Sequence, residues 1–286
     1  MKRGLRDLSL VFLILLFIAA CVTTPVTQRE ALILIPFEQE VALGDQAYRE
    51  MTGTAKESAD PRLRELVLRV GRRIAAASDM PDLNWEFKLI ESDTQNAFAL
   101  PGGKVAVYTG ILKVAENEAG LATVLGHEVA HAVARHGAQR ISQQMLLQGG
   151  LTVAAVTLSN QRNRNWIMPA LGLGATVGIT LPFSRMNESE ADEIGIVYMA
   201  RAGYDPRESV RFWQRFNQLK GSGQPPEFLS THPSDETRIT RLKELLPKAM
   251  DEYQKTNPKF GEGDLFLRPA DLFGDVIPPK VQGGIK

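Results

Sequence analysis

Two histidines four residues apart, His127 and His131, enclose a glutamate, Glu128, in the segment Gly126-His127-Glu128-Val129-Ala130-His131. On an α-helix that spacing places both imidazoles on one face, where they can share a single zinc ion. A carboxylate between them can take the proton of a water that the metal has made acidic, which is what hydrolysis of a peptide bond requires. The flanking residues Leu121, Val124, Leu125, Val129, Ala130 and Val133 are apolar, so this helix belongs in a core. Burying two histidines and a carboxylate there is costly unless something pairs them, and a metal ion does so.

A tetrahedral catalytic zinc takes three protein ligands and keeps one position open. The third ligand is sought in Arg185-Met186-Asn187-Glu188-Ser189-Glu190-Ala191-Asp192-Glu193-Ile194-Gly195. Glu188 and Asp192 stand one helical turn apart, so one can bind the metal while the other accepts a hydrogen bond from a ligand histidine. Glu190 falls between them and reads as a helix-surface carboxylate. His136 lies five residues past His131, about 500° round a continuous helix, and reads as structural and off the ligand face.

In combination, HExxH followed by ExEADxxG resembles the gluzincin metallopeptidases that include HtpX-like, CAAX prenyl protease-like and Oma-type enzymes. The resemblance covers residues 30–250 or so and favours the compact lipoprotein or Oma-like branch. It implies that Glu188 is the third zinc ligand and that Asp192 orients the HExxH histidines. Ser230-Thr231-His232-Pro233 with Arg238 is similar to a downstream element of the family. There His232 either stabilises the oxyanion of the tetrahedral intermediate or fills the open metal position and holds the enzyme off. Arg238 is an oxyanion partner or a surface charge at a helix start. Asn96, Ala97, Phe98 and Ala99, leading into Leu100-Pro101-Gly102-Gly103, resemble the strand and turn flanking the family's cleft. An exposed strand edge there binds an extended peptide through its main chain. On the residues alone, an ordinary core strand is the competing reading.

The elements that must hold these residues follow from periodicity. Leu63, Leu66, Val67, Val70 and Ile74 recur at helical spacing after Asp60-Pro61, a capped helix start. Trp85, Phe87 and Leu89 alternate with polar residues as in a strand. Two more strands, about 96–100 and 104–108, flank the turn Pro101-Gly102-Gly103. Helices are expected over about 38–51, 61–77, 116–139, 187–201, 206–220 and 235–250. The fold class is therefore α+β, mainly α: a zincin-type domain with a small antiparallel sheet beside the HExxH helix. Two apolar stretches, 145–158 and 166–183, read as buried helices or as a membrane-dipping hairpin or flap.

The chain has 286 residues with equal numbers of acidic and basic side chains, 33 each, so nothing in its charge recruits nucleic acid. Lys2, Arg3 and Arg6 precede an apolar run from Leu8 to Ala20, shorter than the roughly 20 residues of a membrane span. Ile18-Ala19-Ala20-Cys21 resembles a lipobox, and Cys21 is the only cysteine. Residues 1–21 are thus read as a lipoprotein signal with Cys21 acylated, 22–36 as a polar tether, 37–250 as the peptidase domain and 251–286 as a tail. Val22 after the cysteine favours the outer membrane facing the periplasm over an inner-membrane anchor. The resemblance implies zinc as cofactor, one ion per chain, and misfolded or misassembled envelope proteins as substrates. Two rivals stand beside this reading: a proteolytically silent assembly factor for outer-membrane proteins, and a protease with residues 145–183 embedded in the membrane.

Overall fold

A computed structural model of the chain describes residues 21–157, 181–218, 232 and 236–261. The signal segment, most of the second apolar stretch, Ser230, Thr231 and Pro233 lie outside the described residues. In chain order the elements are β1 (Cys21–Thr23), β2 (Glu30–Leu32), α1 (Phe37–Thr52), α2 (Pro61–Ala76), β3 (Glu86–Ile90), β4 (Ala97–Leu100), β5 (Lys104–Tyr108), α3 (Thr109–Ala115), α4 (Glu118–Val133), α5 (His136–Thr157), α6 (Leu181–Arg201), α7 (Arg207–Gln218) and α8 (Glu236–Lys255).

The cap expected at Asp60 forms, and a second stands at Asn117. The Asp60 carboxylate accepts from the backbone N–H of Arg62 and Leu63 with Pro61 in the first turn of α2, and Asn117 accepts from Gly120 N–H at the start of α4. Such caps satisfy donors that the first helical turn leaves without partners. α4 is buried almost throughout, with Leu121, Leu125, Val129 and Ala130 fully enclosed. It forms the spine of the molecule, with α2, β4, α6 and α7 all packed against it.

The helix expected over 116–139 is two helices. Arg135 adopts φ 57°, ending α4 and re-aiming the chain into α5. Its guanidinium is held by the buried Glu40 carboxylate on α1, with Nε 2.7 Å from Oε2. A bulky residue at positive φ needs such support from its surroundings.

The sheet beside α4 has the order β3-β5-β4 and is mixed, not wholly antiparallel. β4 and β5 form the expected hairpin, with Ala97 opposite Val107, across a turn in which Gly102 and Gly103 have φ of 82° and 83°. β3 runs parallel to β5, with Glu86 opposite Lys104, because β4 passes to the outside and lets β5 insert between them. This leaves β4 as a sheet edge.

The segment expected to be a polar tether is ordered and docked. β1 and β2 pair as a hairpin, and Val22, Ile33 and Ile35 pack against Ala138 and Ile141 of α5. Among the described residues no helix is long and apolar enough to cross a membrane.

Candidate metal centre

The two helices carrying the chemistry cross where neither has a side chain. A Cβ on Gly195 of α6 would stand 2.8 Å from the carbonyl carbon of Gly126 and 2.9 Å from the backbone nitrogen of His127 on α4. Only glycine on both sides permits this approach, and it brings the acidic run of α6 against the two histidines of α4.

The ring nitrogens converge. His131 Nε2 lies 3.0 Å from His127 Nε2, and His127 Nε2 lies 3.1 Å from His232 Nδ1. Glu188 closes the cluster, its Oε2 3.3 Å from His127 Nε2 and 2.9 Å from His232 Nδ1, its Oε1 3.4 Å from His131 Nε2. One donor atom from each of His127, His131, Glu188 and His232 falls within 4.8 Å of all the others. On its other side His127 Nδ1 sits 3.0 Å from Asp192 Oδ1, so the ring donates there and turns a bare Nε2 lone pair to the cluster. Lone pairs and a carboxylate aimed at one point repel one another unless a cation lies between them, so the donor set suits a metal ion.

The electrostatics agree. Burial opposes charge on His127, yet hydrogen bonds with Asp192 and Glu188 outweigh it and lift its pKa to about 9. Burial holds His131 well below the ordinary imidazole range. Burial pushes the Glu188 carboxyl up, but attraction to His131 and hydrogen bonds from His127, His131 and His232 keep it well below the usual range, and so ionised. Asp192 is likewise held low against burial, by the Arg238 guanidinium and by His127.

Glu128 is buried, and its Oε1 makes no hydrogen bond among the described residues, lying 3.5 Å from His232 Nε2. An ionisable oxygen left so is poised for a partner from outside the protein. It opens onto a cleft of about 470 Å³ whose walls include Phe98, Ala99, Leu100, Glu128, His131 and His232. Asn96 and Ala97 line the same cleft. Arg238 is buried, stacked on Trp213 with its guanidinium carbon 3.5 Å from the ring centroid, and donates to Asp192 Oδ1 at 2.6 Å. The structure thus brings together Glu128, His127, His131, Glu188, Asp192, His232, Arg238 and residues 96–99. Cys21 stands apart, exposed, at the start of β1.

Three placements depart from the sequence reading. Glu190 is no surface carboxylate: it is buried, accepts from Thr24 and Arg29 of the N-terminal hairpin, and pairs with His136. His136 contacts His131 directly, because the break at Arg135 voids the rotation computed for one continuous helix. Trp213, an unremarked aromatic in α7, turns out to be the platform for Arg238 and stands edge-on to His127.

Residues 61–246 match the model of peptidase family M48. The chain belongs to peptidase family M48. It is a metalloendopeptidase, and its relatives share most of its length. It is 36% identical over 244 residues to the mitochondrial metalloendopeptidase OMA1 of Schizosaccharomyces pombe, covering 82% of this chain and 71% of that one. It is 31% identical over 207 residues to the beta-barrel assembly-enhancing protease of Escherichia coli, covering 70% of this chain and 42% of the relative. Bovine mitochondrial metalloendopeptidase OMA1 is 33% identical over 264 residues, with 86% of this chain and 50% of the relative covered. The chain therefore spans only about half, or less, of the length of some relatives.

Proposed function

We propose that this metalloendopeptidase is zinc-dependent, with His127, His131 and Glu188 as ligands, and that it cleaves misfolded or stalled proteins of the bacterial cell envelope. The observation that carries the reading is the convergence of these three donors beside the buried carboxylate of Glu128, whose Oε1 makes no hydrogen bond among the described residues, in the cleft lined by β4. Zinc bound there would supply Lewis acidity to the scissile carbonyl and to water. Glu128 takes the water's proton and returns it to the leaving amine. Asp192, fixed by Arg238 on Trp213, holds His127 in the tautomer that offers Nε2. His232, whose Nδ1 lies within the donor cluster, would serve as a displaceable fourth ligand.

The peptide lies along β4. Tyr108 N–H donates to Asn96 O, and the register then turns the main chain of Phe98 and Leu100 toward β5 and that of Ala99 toward the cleft. An edge that reads backbone, not side chains, suits unfolded substrates of varied sequence. The Escherichia coli relative, named for enhancing β-barrel assembly, supports an envelope role. The lipobox-like Ile18-Ala19-Ala20-Cys21 followed by Val22 supports a lipid anchor on Cys21 in the outer membrane, facing the periplasm.

The test is cleavage of unfolded against folded porin by the mature protein, before chelation, after it, and after zinc is restored. Cleavage confined to unfolded porin, lost on chelation and recovered with zinc, is expected. Activity that survives chelation would overturn the proposal. Palmitate incorporation that persists after Cys21→Ser would refute the anchor.

A further inference from the structure

His127 has a carboxylate behind it, Asp192, whereas the carboxylate beside His131, that of Glu188, lies on the metal side, 3.4 Å from Nε2. His131 faces the donor cluster with Nε2, which lies 3.0 Å from His127 Nε2, so its Nδ1 points the other way. There it meets His136 Nδ1 at 2.8 Å. A histidine that gives its Nε2 lone pair to a metal carries its proton on Nδ1. His131 therefore donates and His136 accepts, which leaves the proton of His136 on Nε2, 3.0 Å from Glu190 Oε2. The tautomers of both rings follow from this one chain of donors and acceptors.

Glu190 is held in its turn by the hairpin that follows Cys21. Thr24 donates to Glu190 Oε1 at 2.6 Å, Thr27 donates to the same oxygen, and Arg29 donates through Nε to Oε2 at 2.9 Å and again through a terminal nitrogen. His136, Glu190 and Thr24 are all buried.

We propose that His136 and Glu190 form a relay that positions His131 toward the metal, as Asp192 positions His127, and that Thr24, Thr27 and Arg29 lock the relay. Helix geometry explains why a relay is used. Residues 188 and 192 share one face of α6, toward α4, whereas residue 190 is about 200° round from 188 and cannot reach His131 directly. The turn at Arg135, φ 57°, carries His136 into the gap. Each of the three acidic positions of the Glu188-Ser189-Glu190-Ala191-Asp192 run then serves the centre: one toward the metal, one toward His127 and one, through His136, toward His131. His136 and Glu190 are positioning residues, since neither enters the donor cluster.

The inference rests on the zinc ligands proposed above, and the experiment separates the two. In the full chain, zinc affinity by chelator competition and the melting temperature of the metal-free protein are measured for wild type, His136→Phe, His136→Gln, Glu190→Gln and His131→Ala. Loss of an orienting partner costs roughly 10–100-fold in metal affinity, so His136→Phe is expected to weaken zinc binding by that factor. His136→Gln, whose amide accepts from His131 and donates to Glu190, restores most of it. Glu190→Gln, of the same shape as the native residue, weakens zinc binding several-fold and, through its lost pairing with Arg29, lowers metal-free melting as well; it decides the matter if His136→Phe does not fold. Wild-type zinc affinity in both His136→Phe and Glu190→Gln, with zinc lost in His131→Ala, overturns the relay alone. Zinc retained at full affinity by His131→Ala overturns the relay together with the ligand set beneath it.

Discussion

The contact of α4 with α6 at Gly126 and Gly195 sets the distance between the metal-facing histidines and the acidic run, so the smallest possible insertion there is informative. In Gly195→Ala the new Cβ would sit 2.8 Å from Gly126 C, 2.9 Å from His127 N and 3.0 Å from Gly126 O, all backbone atoms that cannot rotate aside. Carbon contacts are comfortable from about 3.5 Å, so the helices must part by roughly 0.5–0.7 Å. Overpacking of this kind costs about 1–3 kcal/mol. At roughly 2–4 °C per kcal/mol for a domain of this size, the melting temperature should fall by about 2–12 °C. The same displacement carries Glu188 and Asp192 away from His127. If a misplacement of about 1 Å costs roughly a hundredfold in rate, half of it costs about tenfold in kcat/KM, with a matching loss of zinc affinity. Differential scanning fluorimetry and chelator competition measure both effects. Gly149→Ala in α5, where a Cβ meets nothing within 4 Å, serves as the control and should be neutral or slightly stabilising. A Gly195→Ala protein that melts and binds zinc like wild type would refute the account of how the helices position the centre.

Asp192→Asn keeps the shape behind His127 but removes the charge that Arg238 pairs, and zinc affinity should drop by about 10–100-fold; unchanged affinity contradicts its orienting role. Ala99→Pro removes one outward-facing N–H from β4 without breaking its ladder to β5, so KM for an unfolded substrate should rise several-fold while melting stays within about 1 °C, as expected of an edge position. A change in kcat with KM constant would argue against β4 as the substrate edge. His232→Ala opens the fourth position and should raise turnover at saturating zinc; a fall of a hundredfold or more would assign His232 to the oxyanion instead.

The ligand set was legible because its chemistry is tied to local spacing. Two histidines and a glutamate within one turn, and two carboxylates four apart, keep their meaning wherever the helices go. The helices and strands around them were legible from periodicity, as with Leu66, Val70 and Ile74 facing the core of α2. What stayed hidden depends on long-range placement. Alternation identified β3 as a strand but carried no information about its partner, and its parallel pairing with β5 follows from where β4 goes. Rotation about a helix axis excluded His136 only so long as the helix continued, and a non-glycine residue at φ 57° is not announced by its type. Glu190 read as solvated because its face of α6 points away from the metal. That face meets Thr24, Thr27 and Arg29 from a segment more than 150 residues earlier, itself read as a tether because threonines and a proline look like linker composition. The RH pair following the HExxH turn and the middle glutamate of ExEAD were the signals available, and a question about how His131 is oriented would have joined them.

Zinc content and proteolysis, measured side by side on the mature protein and on Glu128→Gln, test the central claim most directly. The account predicts about one zinc per chain in both proteins, cleavage of casein or unfolded porin by the wild type, and a loss of roughly a hundred- to ten-thousandfold in the variant, the order expected when the group that moves the proton is removed. A Glu128→Gln protein that holds zinc and still cleaves at the wild-type rate would contradict it, and so would wild-type protein that cleaves with no zinc bound.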